Sequence, residues 1–324
     1  MRHPPHRRDS LTRRQFSTLA LGLAGGAAFA ASNGCSRSSP PGKPDAVWGR
    51  HGYSDGRFHR PRAITIDSQD RLYIVDLTAR IQVFDGDGQF IRAWQTPISA
   101  QGRPTGLSID SQGRVVVADT HYFRVLFYTP EGEWLEDQTI GGTFGGGPGE
   151  FCFVTDVAED SQGNLYISEY GEYDRIQKFS PDHHFIMQWG HHGSEPGQFL
   201  RPQNLAIDEN DHLWVSDACN DRIQVFDVRG ADAKLVQTWG QSGTEPGQLR
   251  YPYGMWLASD SIYLCEFGNH RVQKFSRDGK FLAAWGEPGH KPGQLQQPWG
   301  VVRDSRQRLY VLDTYNHRVQ RILL

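Results

Sequence analysis

Short runs of alternating apolar and polar residues, each closed by a turn, recur along the chain from about residue 46. In one unit they predict strands at Leu205–Asp208, Leu213–Asp217, Arg222–Asp227 and Leu235–Gly240. A period of two is the pattern of a half-buried strand, and no stretch after about residue 30 sustains helical spacing. The pattern therefore predicts an all-β protein made of four-strand units.

Two charged markers recur with this unit, at intervals of 43 to 51 residues. The acids that end the second strands are Asp76, Asp119, Glu169, Asp217, Glu266 and Asp313. The arginines that begin the third strands are Arg80, Arg124, Arg175, Arg222, Arg271 and Arg318. Six such units predict a six-bladed β-propeller, which protects sheet edges by closing into a ring. An acid and an arginine in every blade predict a structural ion pair.

The two ends of the repeat region predict how the ring closes. The sixth unit has strands at Gly300–Asp304, Leu309–Asp313 and Arg318–Leu324, and it lacks a fourth. Ala46-Val47-Trp48-Gly49 has the sequence of a fourth strand. We expect residues 46–324 to form the propeller, with the N-terminal strand completing the last blade.

The residues before the propeller have the pattern of an export signal. Thr12-Arg13-Arg14-Gln15-Phe16 resembles the twin-arginine motif, and an apolar run too short for a membrane span follows it. The sequence predicts a signal peptide over residues 1–30, a flexible tether over residues 31–45 and a periplasmic or other extracytoplasmic location. The resemblance implies that the protein crosses the membrane already folded.

Two fates of this leader stay open. Ala28-Phe29-Ala30 fits a cleavage site that releases a soluble protein, whereas Cys35 follows a weak lipobox and is a candidate for lipidation. Membrane attachment is expected only through such an anchor. Cys152, Cys219 and Cys265 form no disulfide framework, although Cys152 and Cys219 could pair.

The charge balance argues against nucleic acid as a partner. Residues 1–30 hold five arginines and one aspartate, so the net charge of −3 for the whole chain becomes −7 without them. A protein of that sign has no general attraction for a phosphate backbone. The expected partner is a protein, a peptide or a small molecule, and the protein is expected to be a monomer.

The repeats resemble the NHL family over nearly all of residues 46–324. The resemblance rests on Pro-Gly-x-Phe/Leu, Asp-x-x-Gly-Asn/Arg-Leu-Tyr-Val, Asn-His-Arg-Val-Gln and Trp-Gly motifs, which are clearest in repeats five and six. The third repeat, from Phe151 through Trp189-Gly190, is similar to a blade of the peptidyl-hydroxyglycine amidating lyases. That family's histidine metal ligands do not carry over, because Glu150 stands where the family has a histidine.

Candidate ligand-binding residues lie where each repeat enters the central channel, just after its proline or the equivalent position. We call this ring the channel mouth, and it combines a cation, a carboxylate, amides and large aromatic rings, which suits a small-ligand or peptide site. The candidates are Arg62, Thr105, Thr155, Asp156, Gln203, Asn204, Tyr253 and Trp299.

Two classes of function follow. The first is an extracytoplasmic binding or scaffold module for a peptide, protein or small ligand at the channel mouth. The alternative is a metal-dependent periplasmic hydrolase or lyase, with Asp156, Tyr253 and Arg62 as candidate catalytic residues and a single calcium or zinc ion in the channel. The metal-ligand candidates are Asp156 and three histidines assigned to one consensus slot, His121, His270 and His317.

Overall fold

The computed structural model describes residues 44–100 and 103–323, which form six antiparallel sheets of four strands each. The prediction of a six-bladed, all-β propeller is confirmed. Blade one contains β2 (Ala63–Ile66), β3 (Leu72–Val75), β4 (Arg80–Phe84) and β5 (Phe90–Gln95). Blade two contains β6 (Gly106–Ile109), β7 (Val115–Asp119), β8 (Arg124–Tyr128) and β9 (Ile140–Gly141). Blade three contains β10 (Phe153–Glu159), β11 (Leu165–Tyr170), β12 (Arg175–Phe179) and β13 (Phe185–Trp189).

Blade four contains β14 (Pro202–Ile207), β15 (His212–Asp217), β16 (Arg222–Asp227) and β17 (Lys234–Trp239). Blade five contains β18 (Pro252–Leu257), β19 (Ser261–Glu266), β20 (Arg271–Ser276) and β21 (Phe281–Trp285). Blade six contains β1 (Ala46–Trp48), β22 (Gly300–Arg303), β23 (Arg308–Asp313) and β24 (Arg318–Leu323). The helices of the described residues are single 3₁₀ turns at Thr120–Tyr122, Glu136–Gln138, Ala218–Asn220 and Thr314–Asn316. None of these is long and apolar enough to cross a membrane.

The N-terminal strand closes the ring as predicted. β1 pairs antiparallel with β24, with Val47 opposite Gln320 and Trp48 opposite Val319. Beside this pairing the guanidinium of Arg321 binds the Asp45 carboxylate, with Nη2 2.8 Å from Oδ2. The seam of the propeller is therefore held by backbone hydrogen bonds and an ion pair.

Tryptophans at the ends of outer strands pack against turns of the next blade. Trp48 lies against Gly88, Trp94 against Gly132 and Trp239 against Gly279. A Cβ atom on any of these glycines would come within 2.5–2.7 Å of the indole, and each glycine has a positive φ. Because only glycine tolerates both conditions, these positions fix how closely neighbouring blades approach.

The repeated acid and arginine form a buried pair in five of the six blades. Arg Nε lies 2.6–2.9 Å from a carboxylate oxygen of the acid, and all five acids are fully buried. In blade four the remaining N–H groups of Arg222 donate to the carbonyls of Ser194, Glu195 and Gln198, which anchors the loop before the blade. The pair is thus a scaffold element, as predicted.

Blade one departs from this pattern, so the prediction of a pair in every blade is wrong there. Asp76 accepts the backbone N–H of His59 and Thr78, whereas Arg80 donates to the carbonyls of Tyr53, Ser54 and Arg57. In blade one the arginine therefore keeps its contacts to the preceding loop but makes none to the acid, and its Nε atom is buried without a partner among the described residues.

Several predictions concern residues outside the described ranges. These are the twin-arginine signal peptide over residues 1–30, most of the tether over residues 31–45 and lipidation of Cys35. Among the described cysteines, Cys152, Cys219 and Cys265 are all free, so the Cys152–Cys219 bridge that the sequence left open is not formed.

Candidate functional site

The inner strands of the six blades surround a central cavity of about 270 Å³. Of the eight predicted ligand-binding residues, seven line it: Arg62, Thr105, Asp156, Gln203, Asn204, Tyr253 and Trp299. Thr155 is not among the residues that line it. Its short side chain turns into the joint with blade four, where its hydroxyl donates to the Pro202 carbonyl and contacts the Ser168 hydroxyl at 2.7 Å.

Asp156 and Asn204 form a brace across three blades. Asp156 Oδ2 accepts the side-chain amide of Asn204 and, at 2.9 Å, the backbone N–H of Leu205. Asn204 Oδ1 in turn accepts the backbone N–H of Met255 at 2.8 Å. Burial raises the pKa of the Asp156 carboxyl to about 7, although these hydrogen bonds oppose the shift. Asp156 and Asn204 therefore hold the inner strands of blades three, four and five together.

Arg62 enters the mouth from blade one. Its Cζ atom lies 5.2 Å from the ring centroid of Trp299, so the guanidinium is positioned for a cation–π interaction. Burial is the largest cause of the lowered pKa of Arg62, and Arg103 and Arg201 lower it further. No hydrogen bond or ion pair joins this side chain to the rest of residues 44–100 and 103–323.

Arg201 reaches the same mouth from blade four. Its Cζ atom lies between two phenol rings, 4.6 Å from the centroid of Tyr170 and 5.3 Å from that of Tyr253. Its Nε donates to Gln203 Oε1 at 2.9 Å. Arg103, from the loop before blade two, donates its Nε to the Leu77 carbonyl at 3.0 Å. The mouth thus holds arginines that the sequence analysis did not select.

An aromatic wall in blades five and six lies beside these cations. It consists of Tyr253, Phe267 and Trp299, with ring centroids 4.7–5.6 Å apart. Tyr315 lies at the edge of this wall, 6.2 Å from Phe267, and Arg60 stacks over it at 4.7 Å. Burial raises the pKa of Tyr253, which keeps its phenol protonated at neutral pH.

The three histidine candidates do not share one slot. His270 and His317 each have a left-handed backbone and stand directly before the repeat arginine, where Nδ1 accepts a backbone N–H of the next blade, from Gln297 and Arg60 respectively. Phe123 holds this position in blade two. His121 stands two residues earlier, with its ring 5.3 Å from that of Phe153, and its assignment to the slot is wrong.

These candidates do not assemble a metal site. No group of three or more His, Cys, Asp or Glu within the described ranges is placed to hold an ion. Asp156, the carboxylate among the described residues that line the cavity, already accepts two hydrogen bonds on Oδ2, and the Nδ1 atoms of His270 and His317 accept backbone N–H groups. The donor set does not fit the calcium or zinc ion considered from the sequence.

The missed arginines lie two positions before the channel-mouth residues that were selected. Arg60, Arg103 and Arg201 each directly precede the repeat's proline. Arg60 and Arg201 have φ values of 49° and 61°. Strand alternation says nothing about residues in that conformation, so a pattern of channel-facing strand residues does not include Arg60 and Arg201.

Six four-stranded blades around a polar and aromatic channel mouth define a β-propeller with a candidate binding site at one end of its channel. The NHL repeat family model matches residues 199–226 and 295–322. Blades four and six of the propeller thus carry segments that match the NHL repeat, in line with the resemblance seen in the sequence.

Two proteins of similar sequence and one structure of similar fold also relate this chain to β-propeller and NHL-repeat proteins. The chain is 31% identical over 191 residues to rat (Rattus norvegicus) peptidylglycine alpha-amidating monooxygenase, covering 56% of this chain and 18% of that protein. It is 27% identical over 187 residues to human (Homo sapiens) NHL repeat-containing protein 3, covering 51% of each. The chain thus spans at most about half the length of these relatives. A streptogramin B lyase structure shares the fold with a TM-score of 0.61 and 14% identity, over 86% of this chain and 97% of that one.

Proposed function

We propose that this NHL-repeat propeller is an exported binding module that takes a small ligand, or one end of a peptide, at the channel mouth. The observation that carries the proposal is the pairing of Arg62 with Trp299 at the edge of the channel cavity. A cation on an aromatic ring beside a cavity, without a carboxylate partner among the described residues, can bind a ligand that has both a polar and an apolar part.

The shape of the site limits what enters it. The cavity of about 270 Å³ is smaller than most sites for whole drug-sized ligands, so it suits a small molecule or a terminal group. Tyr253 and Trp299 of the aromatic wall offer apolar contact in the cavity, and Arg62, Thr105 and Gln203 offer polar contact. The lining can therefore contact a ligand that has both an apolar and a polar part.

The enzymatic alternative has less support from the geometry. Asp156 is committed to the brace, and Tyr253 is packed between Phe267 and Trp299. The observation in favour of catalysis is the pKa of about 7 for Asp156, which lies in the range of a general base at neutral pH. Asp156→Asn separates the two functions, because an asparagine oxygen can still accept both hydrogen bonds but cannot take up a proton.

A fragment screen by thermal shift and ligand-observed NMR tests the proposal. Fragments that bind the wild-type chain should lose about tenfold or more in affinity for Trp299→Ala. Ile91→Ala serves as the control, because Ile91 is exposed on the outer strand of blade one. Fragments whose affinity is the same for Trp299→Ala and wild type would place binding elsewhere and overturn the proposal. Turnover of a bound fragment that Asp156→Asn abolishes would establish the enzyme instead.

A further inference from the structure

Four arginines converge on the channel mouth from three blades: Arg60, Arg62, Arg103 and Arg201. Arg103 and Arg201 are both close enough to Arg62 to lower its pKa, and Tyr315 lies near both Arg60 and Arg62. Burial is the largest cause that lowers the pKa of His121, and Arg62 and Arg103 lower it further. We call these four residues the arginine cluster.

No carboxylate forms an ion pair with this cluster within residues 44–100 and 103–323. The polar contacts that Arg103 and Arg201 make are to the Leu77 carbonyl and the Gln203 amide, both uncharged. The scaffold arginines differ sharply, because Arg175, Arg222, Arg271 and Arg318 each lie 2.6–2.7 Å from a buried acid. Their charge is compensated within the fold, and that of the cluster is not.

The nearby acids are already engaged. Asp156 accepts hydrogen bonds from Asn204 and Leu205. Asp174 accepts the backbone N–H of Arg201 at 2.9 Å and contacts His192 Nδ1 at 2.6 Å. Like charges that lie close together without counter-charges repel each other. An anion that binds among these arginines reduces that repulsion and stabilises the cluster.

The stacking leaves guanidinium N–H groups free to donate. The Arg62 guanidinium lies over the Trp299 ring, and that of Arg201 lies between Tyr170 and Tyr253. Cation–π contact uses the faces of the guanidinium, while hydrogen bonds to an oxyanion use its edges. Within residues 44–100 and 103–323 the Arg201 side chain donates a hydrogen bond through Nε, to Gln203, and its two terminal nitrogens remain available to a ligand.

We propose that the channel mouth binds an oxyanion, a carboxylate or phosphate group, through Arg62 and Arg201, with the apolar body of the ligand against the aromatic wall. The proposal rests on the proposed function and specifies its ligand class. Bidentate contact from guanidinium edges suits both groups. The attraction is local, because the chain as a whole carries a net charge of −3.

Three probes of matched shape test this chemistry on the purified full chain: benzoate, phenyl phosphate and neutral benzamide. By calorimetry or saturation-transfer NMR, at least one of the two anions should bind about tenfold or more tightly than benzamide. The anion with the higher affinity identifies the group. Raising the salt concentration from about 0.05 M to about 0.5 M should weaken anion binding and leave benzamide unaffected.

Charge-removing variants assign the effect to residues. Arg62→Gln and Arg201→Gln should each weaken anion binding about tenfold, with benzamide unchanged. Arg229→Gln removes the same charge in the turn after β16, where Arg229 pairs with Asp227, and it should leave anion binding as in wild type. Arg62→Lys keeps the charge without the planar fork and should retain part of the affinity. Far-ultraviolet circular dichroism and thermal melts verify folding of each variant.

The possible results separate this inference from the proposed function. Equal binding of benzamide and both anions, with loss in Trp299→Ala, would overturn the oxyanion assignment and leave the ligand site intact. Anion binding that Arg229→Gln weakens as much as Arg62→Gln would show general attraction and also overturn it. Failure of the fragment screen and of all three probes to detect binding at Trp299 would overturn both proposals.

Discussion

The Nδ1 atom of His317 in blade six accepts the backbone N–H of Arg60 at 3.0 Å, across the joint between the last blade and the first. Asp174, Asp221 and His270 accept the backbone N–H of Arg201, Tyr251 and Gln297 in the same way. These contacts fix the residues before the channel-entry prolines. Histidine performs this task only when Nδ1 carries no proton, so two of the four joints depend on pH.

Acid should weaken the His317 joint. Burial is the largest cause that lowers the pKa of His317 to about 4, and His51, His59 and Arg60 lower it further. Because the unfolded chain takes up this proton more readily, the stabilising contribution of His317 is complete above the ordinary histidine pKa of 6.5 and is lost as the pH falls toward 4. After allowance for solvent screening, the loss at pH 5 should be about 1 kcal/mol.

Urea unfolding at pH 7.5 and pH 5 measures this effect. His317→Asp copies the acceptor that Asp174 and Asp221 provide, and it should reduce the difference between the two pH values. An unchanged pH dependence in this variant would show that His317 is not the titrating group.

The scaffold pair should matter more in blade four than in blade two. Arg222 binds Asp217 and three carbonyls, whereas the Nη2 atom of Arg124 and one oxygen of Asp119 are buried without a partner among the described residues. Arg222→Gln should lower the free energy of unfolding by about 3 kcal/mol, because it leaves a buried carboxylate uncompensated. Arg124→Gln should cost less than half as much. Chemical denaturation of both variants tests the ranking, and equal losses would contradict it.

Closure by β1 should be visible in the melting temperature. Deleting Ala46–Gly49 exposes the edge of β24 and removes the Trp48 contact with Gly88, so the melting temperature should fall by about 5 °C or more. Val47→Thr on the same strand is the control, because Val47 is 38% exposed and its backbone pairing is kept. A deletion that melts like this control would mean that the strand contributes little to closure.

The brace at Asp156 should tolerate an amide and reject an apolar residue. Asp156→Leu leaves the buried amide of Asn204 and the N–H of Leu205 without an acceptor, and should cost about 2–3 kcal/mol. Asp156→Asn keeps both hydrogen bonds. The raised pKa of Asp156 means that folding is penalised as the pH rises from 3.8 toward 7, so the amide should match or exceed wild-type stability at pH 8. Urea titrations of both variants at pH 8 measure the difference.

The sequence predicted the architecture because the same strand pattern recurs in all six units, so each repeat supports the assignment of the others. The prediction for β16 agrees with the structure at both ends, and that for the closing strand differs only in omitting Gly49. The first strand of blade four begins at Pro202 rather than Leu205, because pairing continues past an irregularity between Pro202 and Asn204. Turn and alternation patterns do not encode such a shift in register.

The site was less predictable, since it depends on side-chain direction rather than on position in the repeat. Thr155 occupies a channel-mouth position yet turns into a blade joint, and Arg201 precedes its proline yet reaches the mouth. His121 was assigned to the slot by residue type. Counting back from Arg124 places Phe123 there instead. The absence of counter-charges around the arginine cluster becomes visible only once the loops are folded.

The pairing of β1 with β24 also sets the order of events during synthesis. Blades one to five each consist of consecutive strands, so each can form as soon as its own segment has left the ribosome. Blade six cannot, because its outer strand is made first and its other three strands last. Residues 46–48 must remain unpaired until residues 318–323 emerge, and through that interval the nascent ring presents an open edge that a chaperone or a neighbouring chain could occupy.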